Sequence, residues 1–300
     1  MENAPPLLTI AELELLQRQT LQCLARRRRP VASKLAGPTQ SVVRGRGMEL
    51  EDLRAYQPGD DVRHMEWRAT ARSGRPITKV FREERQRLVY LVLDRGPSMA
   101  FGTRREIKAA TAARAAALLA FGALARQERL AGLICNGDGD LDFPATRTLD
   151  GVLRLLAAAV APIGAVINGA GTMADALHQL DRAAERGSAI YLISDFHSFG
   201  VRQQPVLRHL GERCDLTALQ VIDPAEEQLA DAGPLRLRGP DGNLCVVDSS
   251  DARLRDRYAA AMAGRHAALK RMLHGAGINL VRLSPEEDTP RQLDRLSPLL

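Results

Sequence analysis

Two short runs constrain the fold more than anything else in the chain. Leu88-Val89-Tyr90-Leu91-Val92-Leu93 and Ala189-Ile190-Tyr191-Leu192-Ile193 carry no charged or amide side chain at any position. A strand with one wet face alternates apolar and polar residues. A strand apolar throughout must be covered on both faces, as in a parallel sheet flanked by helices. Further strands are expected at Arg129–Cys135 and Asp215–Ile222. Segments of helical period or composition separate them: Arg104–Arg126, rich in Ala and Leu, then Leu149–Val160, Met173–Arg186 and Pro205–Arg213. Asp138-Gly139 marks a turn before Leu141–Phe143, a short edge hairpin. Repeated strand–helix–strand order predicts an α/β fold built on a doubly wound, mostly parallel sheet with right-handed crossovers.

The pattern divides the chain. Residues 1–36 read as an N-terminal helical arm: Thr9 is an N-cap, Leu13, Leu16, Leu21 and Leu24 recur at helical spacing, and the arm ends in Arg26-Arg27-Arg28-Arg29-Pro30. Residues 37–86 are punctuated by glycine and proline, with short runs such as Ile77–Phe81, and predict a small β-rich module without a long helix. The sheet domain is expected over 87–222, resuming at 251–300 with a helix at Ala252–Leu273, a strand at Ile278–Leu283 and a helix at Thr289–Leu296. In the gap, Pro240-Asp241-Gly242-Asn243 signals a hairpin within 233–248, a candidate to join the β-rich module in space.

Several function classes lose support. Formal charge is +6, but the 36 acidic residues are interspersed among the 42 basic ones, and aromatics are 4%. Base stacking therefore has little to work with, and nucleic-acid binding rests only on the Arg26–Arg29 run. The four cysteines are far apart in sequence, which argues against a disulfide framework or a zinc site. No stretch reaches 18 uninterrupted apolar residues, the length a spanning helix needs, and no basic start precedes an apolar run. These features read as a cytoplasmic protein, any membrane attachment passing through a partner.

In a doubly wound sheet, ligands sit beyond the carboxyl ends of the strands, where the winding reverses. Two predicted strands end there in an aspartate: Asp94, followed by Gly96-Pro97-Ser98, and Asp195, preceded by Ser194 and followed by His197. Gly169-Ala170-Gly171-Thr172 leads into a helix between them. Carboxylates and hydroxyls converging on one edge make a hard oxygen site, suited to Mg²⁺ or Mn²⁺ completed by water. The plainer alternative is that these residues cap helices. The sequence holds no phosphate-cradling loop, no H-E-x-x-H and no G-x-S-x-G. A metal-dependent phosphoesterase on the same carboxylates is the enzymatic alternative.

The segment Leu53-Arg54-Ala55-Tyr56-Gln57-Pro58-Gly59-Asp60-Asp61-Val62-Arg63, with Glu66-Trp67, Ala71-Arg72, Val92-Leu93-Asp94 and Ser98-Met99, resembles the bacterial domain-of-unknown-function family numbered fifty-eight, which is itself similar to von Willebrand factor A domains. The resemblance covers about 37–222. It implies a von Willebrand A-like sheet domain with a metal-ion-dependent adhesion site, and a partner that is a MoxR-type AAA+ ATPase in a chaperone or maturation role. Asp94 and Ser98 then belong to the Asp-x-Ser-x-Ser element, Thr172 to the threonine loop and Asp195 to the later aspartate. Ser98 and Thr172 would ligate directly, Asp94 and Asp195 through water. Gly96 stands where the element has its first serine, which weakens the site. Asp60, Asp61, Arg63 and Trp67 form a candidate partner surface. Their structural alternative is a tight turn at Pro58-Gly59-Asp60, an Asp61–Arg63 pair, and Trp67 filling the join between domains. The combined expectation is a non-enzymatic adaptor that binds a protein partner.

Overall fold

The structure is a computed structural model and describes residues 5–27, 48–57, 60–83, 87–136, 139–163, 173–238 and 243–294. The chain divides into two compact units, residues 1–29 with 87–300, and residues 30–86.

In the larger unit, β3 (Leu88–Asp94), β4 (Arg129–Asn136), β5 (Gly139–Thr146), β6 (Ala189–Ser194), β7 (Asp215–Val221) and β10 (Asn279–Leu283) form one six-stranded sheet in the order β10-β7-β6-β3-β4-β5. All pairs are parallel except β4–β5. Counted within this sheet, the order is 3-2-1-4-5-6, the doubly wound arrangement. The winding reverses between β3 and β6, so the carboxyl ends of those two strands face the crevice the topology creates.

The apolar runs account for the layers. Along β3, Val89, Leu91 and Leu93 turn to one face and Val92 to the other, the period-2 alternation of a strand. The first face packs α1 (Ile10–Arg27), α3 (Lys108–Ala125) and α4 (Leu149–Val160). The second packs α5 (Met173–Ala183), α6 (Gln204–Gly211) and α8 (Ala252–Gly275). Helix α3 is long and apolar enough to cross a membrane by length and composition, but 15 of its 18 residues are buried against the sheet and neighbouring helices. Its alanines let the sheet approach closely. Across the same layer, Gly132 in β4 admits Leu155 of α4: a Cβ there would lie 2.2 Å from the leucine Cδ1.

Two expectations change. The N-terminal helix is not a free arm. Thr9 and Glu12 form a reciprocal cap (Thr9 N to Glu12 Oε2 2.8 Å, Glu12 N to Thr9 Oγ1 3.3 Å). Leu8 and Leu16 are buried, and the helix packs along α3. A leucine stripe needs a cover, and α3 supplies it. Of the arginine run, Arg28 and Arg29 lie outside the described residues. The hairpin β8 (Pro234–Arg238) with β9 (Leu244–Asp248) pairs only with itself and clusters with the larger unit, not with the 30–86 module.

The sheet ends at β5, an antiparallel edge strand that carries Asp140, Asp142 and Pro144 and slips register between Leu130↔Thr146 and Gly132↔Phe143. In the smaller unit, β1 (Met48–Ala55) pairs antiparallel with β2 (Ile77–Glu83) around a bulge at Leu50/Asp52. Between them lies α2 (Trp67–Ser73), a short helix absent from the sequence reading, capped by Glu66 and closed by Gly74 at φ 67°. Two turns are too few to display a period.

Candidate functional site

Strand β3 ends at Asp94 and its neighbour β6 ends at Ser194, so both chains leave the sheet side by side at the reversal point. Ser194 Oγ donates to Asp94 Oδ2 at 2.5 Å and accepts from Phe196 N at 2.8 Å. Asp94 Oδ1 accepts from Gly96 N at 2.8 Å. Phe196 follows at φ 57°, a left-handed conformation uncommon outside glycine, with its ring buried edge-on to Phe199. This sharp bend carries the chain away from the strand axis just after Asp195. Asp195 Oδ1 accepts from His197 N at 2.8 Å, and the Ser98 hydroxyl beside it helps to hold its carboxyl low.

The centre of the cluster is a side chain the sequence reading passed over. Lys108, the first residue of α3, is fully buried, and its Nζ donates to Asp195 Oδ2 at 2.8 Å and to Glu226 Oε1 at 2.6 Å. Glu226 belongs to α7 (Pro224–Glu227), where Asp223 and Glu226 form a capping box. Asp223 also accepts from Thr103 N and Thr103 Oγ1 at 2.9 and 2.7 Å, which ties the loop before α3 to the start of α7.

The charges follow from this geometry. Burial pushes the Asp94 carboxyl up, with the Asp195 charge adding to it, to about 6. For Asp195, burial works upward most strongly of any one cause, but Lys108 together with His197 N–H and Ser98 holds the carboxyl below its ordinary value. Burial works to lower Lys108, and the Asp195 and Glu226 charges more than offset it, so the ammonium is held above its ordinary value. Arg95 is also buried. Its guanidinium donates to Ala158 O, Ala161 O and Pro162 O, capping the C-terminal end of α4 and fixing the loop after β3.

A cleft of about 360 Å³ opens beside Asp195 and Glu226. Its walls include Phe199, Val201, Met262 and Met272, and Arg265 and Arg271 stand among its lining residues. His197 lines it too; burial and Arg265 push its imidazole down from its usual value.

The family model described as protein of unknown function DUF58 matches residues 52–268. The chain belongs to this family. Curated relatives include the uncharacterized protein Rv1480 of Mycobacterium tuberculosis and the uncharacterized protein Mb1516 of Mycobacterium bovis. Each is 33% identical over 258 residues, covering 85% of this chain and 80% of the relative. Similar solved structures include the conserved hypothetical protein BatB from Bacteroides thetaiotaomicron, at TM-score 0.48 and 15% identity, covering 71% of this chain and 98% of that one. The SpRpn10 VWA domain matches at TM-score 0.44 and 9% identity over 71% of this chain and 96% of that one. The fold is a doubly wound α/β sheet of six strands in 3-2-1-4-5-6 order with one antiparallel edge.

Of the four residues expected in a metal-ion-dependent adhesion site, the structure brings together Asp94, Ser98 and Asp195; Thr172 lies outside the described residues. The described side chains do not fit a divalent ion. Each oxygen of Asp94 and Asp195 already accepts a hydrogen bond, one of them from the Lys108 ammonium. Among the described residues no three His, Cys, Asp or Glu side chains form a metal-holding group. Gly96 offers no hydroxyl, and Asp94 Oδ1 leans over it, 3.1 Å from where a Cβ would stand.

The family segment in the smaller unit is built as a chain of local clamps. Asp60 accepts from Gln57 N at 2.9 Å and pairs with Arg54 at 2.7 Å. Asp61 caps a 3-10 turn by accepting from Arg63 N at 2.9 Å. Glu66 pairs with Lys79 at 2.7 Å. Trp67 is 66% exposed and Val62 61%. The sequence missed Lys108, Glu226 and Asp223. One signal pointed to the first: 38 of the 42 basic residues are Arg, and Lys108 is one of four lysines, set at the start of an Ala-rich stretch whose only other charge is Arg114.

Proposed function

We propose that this family member is a non-enzymatic protein-binding module, that it binds through the carboxyl edge of its parallel sheet, and that its partner is a MoxR-type AAA+ ATPase which it serves as an adaptor. One observation carries the reading. At the reversal point Lys108 bridges Asp195 and Glu226, and Asp94 is held by Gly96 N and Ser194 Oγ, beside an open cleft with apolar walls and arginines among its lining. Such a cluster stiffens a platform. Its described carboxylates are engaged by Lys108, by Ser194 or by backbone N–H groups, which supports binding over hydrolysis. The cleft combines apolar anchors with cationic groups, a composition that suits a partner segment bearing hydrophobic and acidic side chains. The choice of ATPase follows the family resemblance.

The test is direct binding of the purified full chain to the MoxR-type ATPase of the same genome, by biolayer interferometry with and without ATP. Val201→Asp and Arg271→Glu alter exposed groups of the cleft and leave the core alone. Each should weaken the complex about tenfold or more, the effect of about 1.4 kcal/mol. Absence of a complex, or one indifferent to both variants, overturns the reading. So would a Mg²⁺-dependent phosphatase activity lost in Asp195→Asn.

A further inference from the structure

We propose that Lys108 is the site's permanent cation: its ammonium stands where a divalent ion would balance the strand-edge carboxylates, so the site works without metal. Lys108 opens α3, wholly buried, and reaches both Asp195, the residue after β6, and Glu226 in α7. The ring of Phe101 lies 5.8 Å from Nζ on another side. A buried ammonium with two carboxylate partners is fixed in place, because withdrawing it strands both.

Three further features agree. The Asp94 carboxylate is turned onto Gly96 N and Ser194 Oγ. The missing serine at Gly96 removes a ligand, and the Asp94 oxygen occupies the approach to its place. A Mg²⁺ ion requires near-octahedral oxygens and would meet the ammonium on the same carboxylate, adding like-charge repulsion to the cost of dehydration. Glu226, the second partner, is placed by a capping box whose Asp223 is itself tied to Thr103, so the anionic side of the pair is as rigidly held as the cationic one. The arrangement makes the carboxylate cluster a fixture of the fold. The inference concerns charge balance and does not depend on which partner docks.

The experiment uses the full chain and the metal alone. Isothermal titration with Mg²⁺ and Mn²⁺, and melting curves in EDTA and in millimolar Mg²⁺, should show no saturable binding and no shift in the wild type. Lys108→Met should melt lower by about 10 °C, as expected when a buried ion pair loses one partner. It should gain Mn²⁺ affinity about tenfold or more over the wild type, with melting partly restored by the ion. If Lys108→Met does not fold, the double variant Lys108→Met with Asp195→Asn removes one charge of each sign and should recover the fold. Stoichiometric Mn²⁺ binding by the wild type that disappears in Asp94→Asn overturns the proposal. So does a Lys108→Met protein that melts at the wild-type temperature, or a double variant no better folded than the single one. None of these readouts involves the ATPase, so they fail or succeed independently of it.

Discussion

Asp94 offers the sharpest thermodynamic test of the site, through Asp94→Asn. The carboxyl is buried at the end of β3 and held at about 6, where an unperturbed aspartate has 3.8. The folded protein is therefore the tighter proton binder at this position. A raised acid supplies stability that is complete below about pH 4 and is lost as pH rises through 6. One pH unit of difference corresponds to about 1.4 kcal/mol, so the full swing is about 3 kcal/mol. Asparagine has nearly the same shape, keeps an oxygen for Gly96 N, and does not titrate. The stability difference between wild type and Asp94→Asn should thus drift by about 3 kcal/mol in favour of the variant between about pH 3 and pH 7.5. Urea denaturation followed by far-UV circular dichroism measures it; tryptophan fluorescence is the wrong probe, because Trp67 lies exposed in the other unit. A flat difference would refute the burial argument. A drift of opposite sign would mean that the folded state favours the ionised carboxylate, as a bound divalent ion would, and would also sink the role given to Lys108.

Three more outcomes follow from packing. Leu16→Ala should cost about 2–5 kcal/mol of unfolding free energy, since Leu16 is buried where α1 packs on α3; a surface arm would lose almost nothing. Gly102→Ala should destabilise by about 3 kcal/mol, because a Cβ there would come within 2.4 Å of Glu106 O and 2.6 Å of the Ile107 Cα, backbone atoms that cannot yield cheaply. Its melting temperature should fall by about 10 °C. Arg95→Met should cost about 2–4 kcal/mol by leaving the carbonyls of Ala158, Ala161 and Pro162 without their shared donor; a melt within a degree or so of wild type would show that water replaces the guanidinium freely.

Much of this was legible in the sequence because the relevant signals are local. The apolar runs of β3 and β6 announce burial on both faces, and α4 begins one residue after Thr148, whose hydroxyl accepts from Gly151 N. The aspartates near the strand ends were legible from the apolar runs that precede them, and their nearness is what the switch point of a doubly wound sheet provides. What escaped depends on pairings between distant segments. A lysine at a helix start carries no mark of being buried until a glutamate 118 residues later is known to face it. Glu226 reads as an ordinary third residue of a capping box, and serves in that box as well as in the ion pair. The docking of α1 was hidden for the same reason: Leu16 shows an apolar stripe, but not which surface covers it.

The rim strand β5 has a consequence of its own. Pro144 lacks the N–H that an added strand would need, the slipped register breaks the regular spacing of donors and acceptors, and Asp140 and Asp142 place negative charge along the outermost strand. A second copy has little to zip onto there, and neither has an extended peptide. A partner that meets that flank is steered away from backbone pairing and recognised there by side chains, which ties selectivity on that side to individual residues that can be exchanged one at a time without unravelling the sheet.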